Sequence, residues 1–155
     1  MGVRDCIDRV QPDEKKERWK KKRKRKVYES DGPHHCWHLD GWHKLIRYNM
    51  VVHGCIDGHS RALIYLAVLD NNRSKSTMAL FQEAVGIWQL PAAIYCDHGG
   101  ENVRIADFML ANRGVDSDCV KVGSSKHNTR IERLWRDARN IVLDFYIKLF
   151  RQFEK

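Results

Sequence analysis

The 155-residue sequence has no apolar run near the ~20 residues needed to cross a bilayer, so a membrane-spanning protein is excluded at the outset. Its first residues, Met1-Gly2-Val3-Arg4-Asp5-Cys6, lack the apolar stretch of a secretory leader. Cys6 stands where a myristoylation signal requires Ser or Thr, which argues against a lipid anchor. Cysteine is sparse and odd in number (Cys6, Cys36, Cys55, Cys96, Cys119), and no Cys-x-x-Cys pair occurs. Neither a disulfide framework nor a common zinc site is indicated, and a reduced, intracellular protein is expected. His34, His35, Cys36 and His38 crowd together but offer no second ligand pair, so the cluster alone is not read as a zinc site. Internal repeats are also absent.

What is present is unevenly charged. The net charge is +8, yet Lys15 to Lys26 alone carry ten Lys/Arg and one Glu, which leaves the remainder at −1. The globular part is therefore not a uniformly basic binder. The run suits either a solvated, disordered tail or a nuclear-import and phosphate-binding segment. Residues 1–33 are read as a basic, disordered arm closed by Ser30-Asp31-Gly32-Pro33, residues 34–150 as one folded core, and 151–155 as a tail.

Within the core, Trp37 to Ile46 reads as a strand broken at Gly41, and Met50–Ile56 and Arg61–Leu69 as two more. Asp57-Gly58 between the latter two predicts a tight hairpin. Met78, Phe81, Val85 and Trp88 recur at helical spacing over residues 76–88. Ala92–Cys96 is a short buried strand, Glu101–Ala111 a helix ended by Gly114, and Asp118–Val122 a weak strand. From Asn128 to Phe150 the residues Ile131, Leu134, Trp135, Ala138, Val142, Phe145 and Leu149 trace one apolar stripe of a long helix. Trp42, Trp88 and Trp135 are expected in the core. The order of elements predicts a three-layer α/β domain with a mixed sheet of about five strands flanked by helices.

Three acids sit where folding does not call for them. Asp40 lies inside a strand pattern, where Asp is depleted. Asp97 follows the apolar segment Ile94-Tyr95-Cys96, at the carboxyl end where open α/β sheets place ligands. Glu132 stands beside the buried stripe of the last helix. Singly, each has a structural reading: an edge-strand acid, a turn cap, and a pair with Arg136. Together, two carboxylates on strands and one on a packed helix could converge on hard divalent cations such as Mg²⁺ or Mn²⁺.

Four ordered blocks carry a family resemblance: Trp37-His38-Leu39-Asp40-Gly41-Trp42-His43-Lys44-Leu45, Ile56-Asp57-Gly58-His59-Ser60-Arg61, Asp97-His98-Gly99-Gly100-Glu101-Asn102, and His127 to Asp137. They resemble the integrase core domain of retroviral integrases and Asp-Asp-Glu transposases, and most of all the eukaryotic integrase-core proteins of transposon origin. The resemblance spans about Gly32 to Phe150 and implies a ribonuclease H-like fold. It matches Asp40, Asp97 and Glu132 to the family's catalytic, metal-binding carboxylates, with thirty-four residues between the last two.

The implied activity is DNA integration by a polynucleotidyl transferase. Two cations about 3.5–4 Å apart would stabilise an in-line displacement, first by water near a 3′ end and then by the freed 3′ hydroxyl. DNA is the implied partner, held by Arg136 and Arg139 on the helix face of Glu132 and by Lys126 and Asn128 before it. A homo-oligomer in the nucleus is expected on the same analogy. Two rivals stand beside this reading: a catalytically silent, domesticated nucleic-acid-binding module, and a ribonuclease H-like nuclease that only hydrolyses. The retroviral zinc-binding and small β-barrel domains do not flank this core in the sequence, which favours the first rival. Asp57 and Asp107 are the competing candidates for a metal-binding acid, with Asp57 explained by the hairpin.

Overall fold

The computed structural model describes residues 28–123 and 128–154. The basic run at 15–26 and Lys126 therefore lie outside the described residues. Five strands form one sheet: β1 (Cys36–Trp42), β2 (Val51–Asp57), β3 (Leu63–Leu69), β4 (Ala93–Cys96) and β5 (Val120–Val122), in the order β3-β2-β1-β4-β5. β2 pairs antiparallel with both β1 and β3, whereas β4 pairs parallel with both β1 and β5. Helix α1 (Ser74–Trp88) connects β3 to β4, and α2 (Val103–Arg113) connects β4 to β5. Two helices follow β5: α3 (Thr129–Ala138) and α4 (Asp144–Phe153), joined by a π-helical turn at Arg139–Leu143.

Alternation along β1 and β2 sorts the side chains into two cores. Trp37, Leu39 and Cys55 pack with Phe81, Ala84, Ile105 and Met109 under α1 and α2. Trp42, Val52 and Ile56 pack with Ile131, Trp135, Ala138 and Leu143 under α3. This is the three-layer mixed-sheet domain that the pattern of elements predicts. His38 and Asp40 alternate with Leu39 and so share the α3 face with Trp42. Cys36, Cys55, Cys96 and Cys119 are buried free thiols. None of the described helices is long and apolar enough to cross a membrane.

Several local expectations need correction. β1 runs through Gly41 and ends at Trp42, because Gly41 pairs in register with His53. The β2–β3 connection is a longer loop in which Arg61, not Gly58, takes the left-handed conformation (φ 64°). The loop closes on its own acid: Asp57 accepts hydrogen bonds from the Ser60 N–H (2.8 Å) and hydroxyl (2.6 Å) and from the His34 N–H (3.0 Å). Trp88, expected in the core, is 38% exposed and lies against His34 at the end of α1. The long apolar stripe breaks at the π-turn, whose wider pitch rotates everything after it. Phe145 is consequently 64% exposed, and Leu143, Ile147 and Phe150 reach the core in place of Val142, Phe145 and Leu149.

Helix α3 lies close on the sheet because Gly54 of β2 presents no side chain to it. A Cβ at Gly54 would stand 2.8 Å from Trp135 Cη2 and 3.2 Å from Leu134 Cδ2. Gly54→Ala should cost about 1–3 kcal/mol of unfolding free energy by urea titration, as overpacking of a filled core does, and Gly54→Val more. An alanine variant as stable as the parent would show that α3 does not need this close approach.

Candidate active site

The parallel pairing of β1 with β4 joins Trp37 to Ile94 and His38 to Tyr95. The same offset, continued two residues, sets Asp40 level with Asp97. Adjacent strands are ~4.8 Å apart, so the two acids are neighbours at the carboxyl ends of parallel strands, on the side of the sheet that α3 covers. Helix α3 is pinned there at two points. Its cap residue Asn128 donates from its amide to the Leu39 carbonyl (3.1 Å) and accepts from His38 Nδ1–H (2.6 Å). Two turns on, the Trp135 indole N–H donates to Asp40 Oδ2 (2.7 Å). Glu132 lies on the turn between these pins, and its N–H closes on the Asn128 carbonyl (3.1 Å).

The network fixes the protonation of His38. Because the Asn128 amide nitrogen donates to Leu39, its oxygen must accept, so His38 carries its proton on Nδ1 and accepts from the Tyr28 hydroxyl at Nε2 (2.8 Å). Burial holds this imidazole neutral by lowering its pKa, and Tyr95 stacks on it. Contacts with the core thus begin at Tyr28, six residues before His34.

Asp97 is steadied separately. Its Oδ1 accepts from the Gly99 N–H (3.0 Å) and the Asn102 side-chain amide (3.2 Å). A shallow hollow of about 190 Å³ opens beside it, lined in part by His98, Asn102 and Ala106.

Asp40 reports the electrostatics of the place. Burial raises its carboxyl to about 6, and the charges of Asp97 and Glu132 push in the same direction. Hydrogen bonds from Trp135 and the Gly41 N–H oppose the rise without cancelling it. Asp40 therefore feels both other acids at the β1–β4–α3 junction. Among the described residues, no three His, Cys, Asp or Glu side chains form a closed set able to hold a metal ion. The donor set is nonetheless all oxygen and repels itself, which is the chemistry that hard divalent cations relieve.

The remaining candidates separate clearly. Asp57, fully buried, uses both carboxylate oxygens in its loop; burial raises its pKa, and hydrogen bonds from Ser60 and His34 more than reverse the effect. It pairs with Trp37, three residues from Asp40 along β1 or ~10 Å, so it belongs to the opposite end of the strand. Asp107 is exposed on α2. Asn128 is 2% exposed with both amide atoms engaged, so its side chain serves the fold rather than a phosphate. Arg136 and Arg139 are exposed one and two turns after Glu132, with Arg139 paired to Asp144 (3.2 Å). The His34–His38 cluster disperses: His34 accepts from Trp37, His35 faces Asp31, and burial raises the Cys36 thiol to about 11. Sequence reasoning missed the parts played by Gly54, Asn102 and the Trp135 N–H. Only Gly54, a glycine inside a β-branched run, carried a usable signal.

The profile of the integrase core domain matches residues 27–155, and the chain belongs to that family. No curated protein matches it significantly. Among solved structures, it is similar to the catalytic core domain of HTLV-2 integrase in complex with magnesium, in a trimeric form (TM-score 0.59, 18% identity, covering 77% of this chain and 76% of that one). The dimeric form of the same domain gives TM-score 0.59 and 18% identity, covering 77% of each chain. The catalytic core domain of BIV integrase gives TM-score 0.53 and 14% identity, covering 68% of this chain and 67% of that one. These likenesses establish the ribonuclease H-like fold of integrase catalytic cores.

The raised Asp40 carboxyl has a pH consequence. Its folded pKa of about 6 exceeds the ordinary 3.8, so its contribution to stability is full below pH ~4 and is lost as pH rises through 6. Asp40→Asn should therefore gain on the parent as pH rises from 4 to 7 in chelator, by roughly 1–3 kcal/mol at the top. Chemical denaturation across that range measures it, and parallel stability curves would contradict the raised Asp40 carboxyl.

Proposed function

We propose that this domain is a polynucleotidyl transferase of integrase type, acting on DNA ends with Mg²⁺ or Mn²⁺. The observation that carries the reading is the register that sets Asp40 beside Asp97 on the parallel β1–β4 pair, with the helix of Glu132 tied to Asp40 through Trp135, in a ribonuclease H-like fold of the integrase core family. Asp40, Asp97 and Glu132 would hold the cations. When bound, divalent cations supply Lewis-acid stabilisation of charge on the phosphate and its leaving oxygen. The chain's own work is positioning. Trp135 fixes one oxygen of Asp40, Gly99 and Asn102 fix one oxygen of Asp97, and the Asn128–His38 clamp sets the register of Glu132. Arg136 and Arg139 would hold strand phosphates on the same helix face, with Lys126 as a further contact before the helix. No protein nucleophile is required, because water and then a DNA 3′ hydroxyl attack the phosphorus. A homo-oligomer is part of the proposal, since two DNA ends are joined to one target. The basic run at 15–26 suits nuclear import.

A second reading, a nucleic-acid-binding module without catalysis, draws on the absence among the described residues of a closed ligand set. Nicking and joining of a labelled duplex in Mn²⁺ separate the two. Asp97→Asn and Glu132→Gln should each lower nicking by about a hundredfold or more, the scale of losing one preorganised electrostatic partner. Their melting temperatures should stay near the parent's in chelator and, unlike the parent's, should not rise with Mn²⁺. Unimpaired nicking in either variant would remove the enzymatic reading, and nicking without joining would indicate a nuclease.

A further inference from the structure

The core-facing side of α3 is flanked by two different stripes. Glu132, Arg136 and Arg139 follow one another on the acid side, one turn apart. Arg130, Arg133 and Asp137 follow one another on the other side, facing the β2–β3 loop. There, a groove of about 480 Å³ is bounded by Arg61 from that loop and by Thr129, Arg130 and Arg133 from the helix. Three guanidinium groups meet one carboxylate in it, and that carboxylate is already paired, Arg133 to Asp137 at 3.1 Å.

Arg61 stands in a loop that Asp57 ties shut, with its own backbone left-handed there. The guanidinium of Arg130 lies 4.1 Å over the Tyr28 ring, and its Nε is buried without a hydrogen-bond partner. Tyr28 in turn is seated by its hydroxyl on His38, over Gly58, where a Cβ would stand 2.0 Å from that hydroxyl. Burial raises the Tyr28 phenol to about 12, so it stays a neutral donor there. In sequence, the basic run ends at Lys26, two residues before Tyr28.

We propose that the groove between the β2–β3 loop and α3 binds the phosphodiester backbone of a nucleic acid, through Arg61, Arg130 and Arg133, as a site separate from the strand at the three carboxylates. The inference rests on the polynucleotidyl-transferase reading for its choice of ligand. Planar guanidinium groups match phosphate oxygens, and three of them along one groove suit a repeating polyanion. A reaction that joins a DNA end to a second DNA needs a second place to hold a backbone.

The test is fluorescence anisotropy of a labelled duplex with the full chain in chelator, across a salt series. Arg61→Gln with Arg133→Gln should weaken binding about tenfold or more near 0.1 M salt. It should also reduce the log–log salt slope by about two, since each lost phosphate contact removes roughly 0.9. Asp137→Asn, which removes only the acid, should tighten binding, and this gain cannot arise from misfolding. Unchanged affinity and slope in both variants would overturn the groove. Specific displacement of the duplex by poly-glutamate or by inorganic phosphate, beyond chloride at equal ionic strength, would overturn the nucleic-acid assignment in favour of an acidic protein or a free anion. Arg136→Gln with Arg139→Gln separates the two readings. A fall there alone keeps the proposed function and sinks the groove, whereas a fall in the groove pair without metal-dependent nicking keeps the groove and sinks the enzyme.

Discussion

The hydrogen bond from the Trp135 indole to Asp40, made across the space that Gly54 leaves empty, is the contact on which the arrangement of this domain depends. It joins the last long helix to the central strand at the one place where a carboxylate sits inside a sheet. A charge-assisted bond of this kind contributes roughly 1.5–3 kcal/mol, about twice a neutral one, and also fixes orientation. Asn128 makes the second attachment through His38 and Leu39, so Glu132 is carried between two fixed points rather than on a free helix. The fold therefore positions its third acid through uncharged partners and leaves the carboxylate itself exposed.

That arrangement has an energetic cost. Asp40 is half-buried, and that burial, with the charges of Asp97 and Glu132, raises its carboxyl to about 6. A domain selected for stability alone would place an apolar residue there, as it does at Leu39 and Trp42 of the same strand. The cost falls where the sheet strands end and the covering helix begins. The opposite flank of α3 is arranged in the other sense, with three arginines against one acid. One helix thus has acids on one flank and arginines on the other.

Much of this was legible in the sequence, for identifiable reasons. Apolar runs rich in β-branched residues marked β2 and β3, and the stripe Ile131–Trp135–Ala138 marked α3, because burial on one face leaves a period. Asp40 and Asp97 stood out since a strand interior and a strand end gain nothing from acids. Other features left no periodic trace. The π-turn shifts a register without changing composition, so Phe145 read as core and is exposed. Trp88 read as core because its spacing was right, although the helix ends there. Asp57-Gly58 promised a two-residue turn, but the carboxylate of Asp57 organises a longer loop through Ser60 and His34. Asn128 read as a DNA contact because it precedes the helix of Glu132, and only the packed structure shows its amide spent on β1. Pairings between residues ninety or more positions apart, such as Trp135 with Asp40, cannot be read from any local pattern.

The central claim is that Asp40, Asp97 and Glu132 form one cation site beneath Trp135. Proton NMR of the five tryptophan indoles during a Mn²⁺ titration tests it directly, since paramagnetic broadening falls steeply with distance. The Trp135 indole N–H, bonded to Asp40, should broaden at the first equivalent while that of Trp88, at the far end of α1, stays sharp. A Trp135 signal that survives a saturating concentration of Mn²⁺ would contradict the claim.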